Sequence, residues 1–291
     1  MEVQLWPRLY RVMADVSKVS HRTRGVQMSD RLIVQTYVWS VLHDRPTGWA
    51  CDAENWPAAE RWRQLPSPST MSRRLRTVGV RQLLERVQEM VNSWFPRSLC
   101  FWVDSKPLPV GGASKDPDVK IGRGAGMRAK GYRLHALFNA AASTAVAWLL
   151  APMNDNDALV ARRLFERAAG AGLSGYAAAD NQYDANQLYD LAATAGLQLV
   201  TPRRAGVHGL GHVRQSPHRL RGIDLAARGF GQNLLHARGG IERAFGTLGN
   251  FAGGLGPLPN WVRRPHRVAM WVAGKLLIDS IRRALKQRLI A

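Results

Sequence analysis

The sequence predicts an α/β fold, a mixed sheet flanked by helices with an all-helical region before it, and three observations support this class. Hydrophobic residues make up 46% of the 291 residues, which is enough to build a core and too many for a disordered chain. The first hundred residues carry apolar side chains at helical spacing. After Pro96, short apolar runs of strand length alternate with helical patterns, which is typical of a mixed sheet.

The helical region, residues 1–96, has the parts of a DNA-reading helix-turn-helix. One helix begins at the capping residue Ser29, and residues 58–95 predict a short helix, a turn and two further helices. Ser69 or Thr70 is expected to cap a basic helix. That helix carries Arg73, Arg74 and Arg76. The alternative is an ordinary helical bundle with a solvated arginine face. Five of the ten tryptophans lie before residue 63, and we expect them to anchor the core rather than to stack on bases.

The α/β region, residues 97–255, is predicted element by element. Residues 98–110 form an apolar run that predicts a buried strand ending near Asp104, and the glycine- and lysine-rich residues 111–131 predict a loop. Two strands that can pair follow at 132–140 and 144–152. We then predict a helix at 155–172, a strand ending in Asp180 at 174–180 and a helix at 184–196. A strand at 197–204, a long loop at 205–235 and a helix at 238–248 complete the region. Residues 256–291 predict a C-terminal basic helix that packs on this core.

The charge of the chain points to a polyanionic partner. Lysine and arginine total 41 against 21 acidic residues, a formal net charge of +20. Residues 196–291 hold 16 basic and 3 acidic side chains and so carry most of the excess. Arginine dominates, and its planar fork suits phosphate. A folded centre with a basic flank that follows a nucleic-acid backbone is the expected arrangement.

Two other classes of protein are disfavoured by the sequence. No apolar run approaches the roughly 18 residues that a membrane-spanning helix needs, so no membrane partner is expected. The two cysteines, Cys51 and Cys100, have neither metal-ligand spacing nor a disulfide framework. We expect them to be buried thiols in a reducing cytoplasm.

Three carboxylates are candidates for one site. Asp104 at the end of the first strand and Asp180 just after the fourth lie side by side if those strands are neighbours, and a helix across the sheet can present Glu242. Carboxylates without histidine or cysteine suit a hard cation, Mg²⁺ or Mn²⁺. Two such ions roughly 4 Å apart would clamp the attacking and leaving oxygens of a phosphoryl displacement. Rival carboxylates with cap or turn positions are Asp155, Asp157 and Asp184.

Several cations are candidates for DNA contact near this site. Arg238 and Glu242 are spaced i, i+4, which places them on one helix face and also suits an ordinary ion pair. His135 is either close to DNA or a satisfied structural histidine. The other candidates in this region are Lys130, Arg133, Arg203, Arg204 and Arg243. The glycines Gly239 and Gly240 are expected to permit close backbone approach to DNA.

Four blocks carry a resemblance to a known family: "VDSKPLPV", "KGYRLHAL", "AAADNQYD" and "RGGIERAFG". Their order resembles that of bacterial insertion-sequence transposases of groups four and five, over roughly residues 98–250. The resemblance implies a ribonuclease-H-like core and a DDE triad that binds two metal ions. It implies that Asp104, Asp180 and Glu242 are the triad and that Arg238 contacts DNA phosphate.

The resemblance also implies an activity and its partners. Such enzymes cut double-stranded DNA with water at the terminal inverted repeats of their element and join the freed 3′ hydroxyl to target DNA. A homodimer on DNA in the bacterial nucleoid is expected. Leu235 and Gly249 stand where the family often has tyrosine and lysine, which favours the group-five pattern and leaves open an inactive copy. The alternatives are a DNA-binding protein with a silent core and a metal-dependent nuclease without a joining step.

Overall fold

The chain forms two compact units in a computed structural model that describes residues 2–18, 27–58, 61, 64–124, 126–204, 210, 214–250 and 254–290. The helical unit comprises Met1–Phe95, Leu248–Gly256 and Trp261–Ala291. The sheet unit comprises Pro96–Thr247 and Pro257–Asn260.

Ten helices and six strands are found in the described part of the chain. The helices are α1 (Glu2–Lys18), α2 (Asp30–Leu42), α3 (Pro68–Arg74), α4 (Val78–Ser93), α5 (Asp157–Ala168), α6 (Asn186–Thr194), α7 (Pro217–Ala227), α8 (Gly229–Ala237), α9 (Gly240–Gly249) and α10 (Pro265–Lys286). The strands are β1 (Cys100–Pro109), β2 (Lys120–Arg123), β3 (Arg128–Asn139), β4 (Thr144–Pro152), β5 (Gly175–Ala178) and β6 (Leu197–Val200). No helix in these ranges is long and apolar enough to cross a membrane.

The helical unit is built around α2, which is buried from Ile33 to Leu42 and packs against α1, α4 and α10. Tryptophan rings fill the space beside it: the Trp39 ring lies 4.8 Å from that of Trp6 and 5.0 Å from that of Trp56. All three are buried, which confirms them as core anchors.

Capping differs in part from the sequence prediction. Ser29 caps α2 by accepting a hydrogen bond from the Leu32 N–H, as predicted. For α3 the prediction of Ser69 or Thr70 is wrong, because Ser67 is the cap and accepts from the Thr70 N–H. Pro68 then takes the first helical position, where its missing N–H costs nothing.

The C-terminal helix α10 is part of the helical unit. It packs on α4, α2 and α1. Its apolar side chains, such as Val268 and Leu276, are buried. Lys275 is buried too and pairs with Asp44. The predicted packing of residues 256–291 on the core of the α/β region remains a prediction. The division of the chain into three functional domains remains a prediction.

The sheet unit confirms the predicted α/β class. Its strand order is β2-β3-β1-β5-β6, with β4 also paired to β3. The pairs that involve β3 are antiparallel, whereas β5 is parallel to both β1 and β6. An antiparallel group followed by parallel strands, with helices packed on the sheet, is the ribonuclease-H-like arrangement.

The core of the sheet unit lies between the sheet and two helices. Phe165 on α5 and Tyr189 on α6 are fully buried in one cluster with Val103 of β1 and Leu137 of β3. Burial of large apolar side chains at about 25 cal/mol per Å² is the main force that holds the helices on the sheet.

Four local predictions are wrong. The first strand does not end near Asp104 but continues to Pro109, because β3 pairs with it along this whole stretch. The predicted loop 111–131 contains β2 and the start of β3. The predicted loop 205–235 contains α7 and most of α8, with its residues 205–209 and 211–213 outside the described chain. Cys51 and Cys100 are free and half-buried, not fully buried.

Candidate active site

The central feature of the sheet unit is a pair of carboxylates on neighbouring strands. The sequence predicted that Asp104 and Asp180 would lie side by side if their strands were adjacent, and β1 and β5 are adjacent and parallel. Trp102 pairs with Ala178 in the register. Each aspartate follows its member of that pair by two residues, so the two lie on the same side of the point where the β1–β5 pairing ends, Asp104 within β1 and Asp180 just after β5.

Asp180 is held in place by the turn that follows β5. Its carboxylate accepts a hydrogen bond from the Gln182 N–H at 2.9 Å and caps a short 3₁₀ helix over Asn181–Tyr183. Tyr183 at the end of this turn is fully buried, and its hydroxyl finds no hydrogen-bond partner among the described residues. Burial, and then the negative charges of Asp104, Asp157 and Asp180, raise the pKa of this phenol, so it stays protonated.

Asp104 lies in a setting that disfavours its charge. Burial raises the pKa of its carboxyl to about 6, and the nearby carboxylates of Asp180 and Asp157 add to the rise. A hydrogen bond from the Ser105 N–H at 2.7 Å and the charge of Arg238 act in the opposite direction. A half-buried carboxyl with like charges beside it is a common property of sites that bind cations or move protons.

A third carboxylate, Asp157, borders this pair. It was weighed from the sequence as a turn or cap residue, but Asn156 caps α5 instead. Asp157 accepts two hydrogen bonds from Arg133, at 2.8 and 3.0 Å, and one from the Ser105 hydroxyl at 3.4 Å. The guanidinium of Arg133 thus pairs with Asp157, and its predicted contact with DNA remains a prediction.

His135 is buried beside this ion pair. Its side chain is 0% exposed, and both ring nitrogens lack hydrogen-bond partners among the described residues. Its predicted proximity to DNA remains a prediction. Nε2 lies 3.9 Å from an Asp157 oxygen, but burial lowers the pKa of the ring to about 4, so the ring is neutral at physiological pH.

Glu242 lies in the first turn of α9 and is exposed. The sequence predicted one helix that would carry Arg238 and Glu242 on the same face. The structure has two helices, because α8 ends at Ala237, Arg238 and Gly239 form a turn, and α9 begins at Gly240. The i, i+4 argument therefore fails, since it holds only within a continuous helix.

Gly240 explains why α9 begins where it does. A Cβ atom at this position would lie 2.2 Å from a ring carbon of Trp102, whereas one at Gly239 would have only a backbone oxygen at 3.6 Å. Trp102 precedes Asp104 on β1 by two residues. The glycine expected to admit DNA therefore admits an indole ring, and it sets the helix of Glu242 against the strand of Asp104.

Arg238 contacts an aspartate of the pair. Its Nη1 lies 3.4 Å from Oδ2 of Asp104, and both side chains are about one-quarter exposed. The prediction that Arg238 binds DNA phosphate remains untested, but the structure gives it a carboxylate partner. An arginine at this position offsets part of the negative charge that gathers around Asp104.

The other residues of the sheet unit that were predicted to contact DNA differ in their solvent exposure. Lys130 is half-buried and donates to the Ser114 carbonyl at 3.0 Å. The exposed cations are Arg203, Arg204 and Arg243. Only the exposed arginines present their charge to solvent, where a phosphate backbone can reach it.

In the helical unit, the three predicted arginines also differ. Arg74 is paired with Asp30 at 2.5 Å and donates to the Met28 carbonyl at 3.0 Å, so its guanidinium has a structural partner. Arg73 and Arg76 are exposed.

The donor set suits a hard divalent cation in part. Asp104 and Asp180 bring carboxylate oxygens from neighbouring strands, and such oxygens are the ligands that Mg²⁺ and Mn²⁺ prefer. Among the residues that the structure describes, no three His, Cys, Asp or Glu side chains form a group that could hold a metal ion. The two aspartates fit a cation as a pair, and the membership of Glu242 remains a prediction.

Sequence reasoning missed the supporting residues of this site. Tyr183 and the Arg133–Asp157 pair lie against the aspartates, yet none of them was assigned this role. The spacing of Asp180 and Tyr183 offered a signal, because a residue three positions after a cap returns to the same side of the turn. Nothing in the sequence pattern alone pairs Arg133 with Asp157.

Comparison with known proteins supplies a match to the sheet unit. A family model described as the transposase DDE domain matches residues 96–256, more than half of the 291-residue chain. No curated protein and no solved structure matches the chain. The matched range contains Asp104, Asp180 and Glu242.

Proposed function

The chain belongs to the DDE transposases, and we propose that it cuts double-stranded DNA at the ends of a mobile element and joins those ends to target DNA. The observation that carries this proposal is the parallel register of β1 and β5, which brings Asp104 and Asp180 together just beyond the paired stretch of the two strands, within the matched family domain. We assign Glu242 as the third member of the triad, by its match to the family's order of acidic residues.

The reaction would proceed in two balanced steps. Water attacks a phosphodiester at the element end, one P–O bond forms, another breaks, and a 3′ hydroxyl is released. That hydroxyl then attacks a phosphodiester of target DNA, so that one P–O bond again replaces another. No external energy source and no covalent protein intermediate are needed, because the number of bonds to phosphorus does not change.

The residues of the chain have distinct roles in this proposal. Asp104, Asp180 and Glu242 would hold a divalent cation, Mg²⁺ or Mn²⁺, and two such ions when bound would supply charge stabilisation at the attacking and leaving oxygens. Arg238 limits the repulsion among the carboxylates around Asp104. Exposed Arg243, Arg203 and Arg204 lie where they can contact the DNA backbone.

Because Glu242 is exposed, the proposed triad requires a movement of α9. Among the described residues, no three His, Cys, Asp or Glu side chains form a group that could hold a metal ion, so in this proposal α9 brings Glu242 closer to the aspartate pair when DNA and cation bind. The same observation favours a second candidate function, a DNA-binding protein whose transposase-like core is silent. A nuclease without a joining step is the third.

The test uses purified protein and a labelled duplex that carries the element's own ends, with Mg²⁺. Three variants, Asp104→Asn, Asp180→Asn and Glu242→Gln, are compared with Asp224→Asn, which alters an exposed carboxylate on α7. We expect each site variant to lower strand cleavage by more than about 100-fold, beyond what loss of an outer-shell partner costs a metal site. DNA binding by gel shift should persist.

The outcomes separate the candidates. Cleavage by Asp104→Asn at the wild-type rate would refute the assignment, and binding without cleavage by the wild-type protein would support the silent core. A pre-cut duplex with a free 3′ hydroxyl then distinguishes a transposase, which joins it to a target plasmid, from a simple nuclease.

We further propose a group-five insertion-sequence type from Leu235 and Gly249. We also propose a homodimer on DNA, which sedimentation of the complex would test.

A further inference from the structure

The helical unit contains a cavity of about 220 Å³ that the proposed catalysis does not use. Its lining comes from α2 and the segment that follows it, from α3 and the residues just after it, and from the first turns of α10 with the residues before them. The volume is below the roughly 300–1,000 Å³ of pockets for drug-sized ligands, so it suits one ring system.

The lining of this cavity is largely aromatic and apolar. Tyr37 and Trp271 are buried and line it together with Met270. Trp261 lines it as well but keeps 41% of its surface exposed. An indole that remains this exposed beside a cavity offers a flat face on which another planar ring can stack.

The cavity is also strongly cationic. Arg45, Arg76 and Arg267 line it and are exposed, and its lining contains no aspartate or glutamate. None of these three arginines takes part in a salt bridge in the part of the chain that the structure describes. Three guanidinium groups from three separate segments suit several phosphates better than a single one.

We propose that this cavity binds one unpaired nucleotide of a DNA strand. The nucleobase enters the aromatic lining and stacks on Trp261, while Arg45, Arg76 and Arg267 hold the phosphates on either side of it. A strand fits better than a free nucleotide because the cations come from three segments and the whole chain carries +20 charge. This inference rests on the proposed function only for the choice of DNA as the ligand.

The experiment measures binding of a fluorescein-labelled twelve-base oligothymidylate by anisotropy, with EDTA present so that catalysis plays no part. Trp261→Ala should weaken binding about tenfold, a typical loss for one stacked base. Trp261→Phe should restore most of the affinity, because it keeps an aromatic face. Arg267→Ala is compared with Arg81→Ala, which removes an exposed arginine of α4 outside the cavity.

An abasic strand of the same length separates base from backbone recognition. On that strand the effect of Trp261→Ala should disappear, while Arg267→Ala should still weaken binding more than Arg81→Ala does. Equal affinity of Trp261→Ala and wild type for oligothymidylate would overturn the proposal. So would equal losses for the two arginine variants, or displacement of the strand by thymidine monophosphate at a matched nucleotide concentration, since that would assign the cavity to a free nucleotide. Binding is measured without cleavage, so this inference can be refuted while the proposed function stands.

Discussion

Asp184 and Arg219 form an ion pair whose side chains are only 2% and 5% exposed. Two hydrogen bonds, at 2.6 and 2.9 Å, join the carboxylate to the guanidinium, and the Arg204 N–H donates a third at 3.1 Å. The sequence suggested that Asp184 caps α6, but Ala185 holds that position. Asp184 therefore joins the turn after β5 to α7, an element that the sequence did not predict.

Loss of this pair should destabilise the protein. Asp184→Asn leaves a buried guanidinium without its counter-charge, and breaking a buried pair in this way costs about 3–5 kcal/mol in free energy of unfolding. Urea denaturation at pH 7 measures the loss. Asp224→Asn is the control, because Asp224 pairs with Arg228 on the exposed surface of α7, where the expected loss is below about 1 kcal/mol. Equal losses for the two variants would contradict the structural role of Asp184.

The stabilisation by Asp184 should depend on pH. Burial raises the pKa of its carboxyl. The hydrogen bonds from Arg219 and Arg204 lower the pKa by more than burial raises it, so the folded pKa lies below the ordinary value. A depressed folded pKa means that the stabilisation is present above the unfolded pKa, about 4, and is lost as pH falls through the folded pKa. The difference between wild type and Asp184→Asn should therefore shrink in acid.

His135 should make the protein sensitive to mild acid. Its folded pKa of about 4, lowered by burial, lies below the unfolded value of about 6.5, so the unfolded state takes up a proton first. The stability present above pH about 6.5 is then lost as pH falls toward 4. His135→Leu should flatten the dependence of the unfolding midpoint on pH in this range, whereas His218→Leu, at an exposed position of α7, should leave it unchanged.

At the scale of elements, the contact between α9 and β1 depends on one glycine. Gly240→Ala would place a methyl group against the buried Trp102 ring, at a distance that no real contact allows, so α9 or the ring has to shift. Gly239→Ala meets nothing closer than 3.6 Å and is the matched control. We expect Gly240→Ala to reduce strand cleavage strongly while Gly239→Ala stays near wild type, measured on the same labelled duplex. Full cleavage by Gly240→Ala would show that the position of α9 is not important for the reaction.

The elements that the sequence predicted well have strong periodic signals. β1, β3, β4 and β5 coincide with predicted apolar runs. Asp104 and Asp180 were expected side by side if their strands were neighbours, and β1 and β5 are neighbours. The short α7 and α8 were missed because glycine, histidine and arginine obscure the periodicity, although Ser216 before Pro217 is a helix-start signal.

The break between α8 and α9 could not be predicted, because it depends on a tertiary contact with Trp102. The same holds for the Arg133–Asp157 pair, whose members lie on β3 and α5. Residue type and spacing thus located the aspartate pair, whereas the partners that surround it depend on which elements pack together.

At the scale of the whole molecule, the +20 charge predicts DNA binding that is sensitive to salt. The logarithm of the binding constant should fall linearly with the logarithm of salt concentration, with a slope of about −0.9 for each phosphate neutralised. Removing one phosphate contact with Arg243→Ala should lower the magnitude of the slope by about 1. Arg163→Ala, on the exposed face of α5, is the control and should leave the slope unchanged. Equal slopes for both variants would remove Arg243 from the DNA contacts.

The contact of Gly240 with Trp102 also limits how the proposed triad can assemble. Glu242 follows Gly240 by two residues, about 3 Å along a helix axis. As long as this contact is kept, any rotation of α9 about the indole moves the Glu242 carboxylate through a short arc only. The active geometry would then be reached by swivelling in place, without α9 leaving the strand on which it rests.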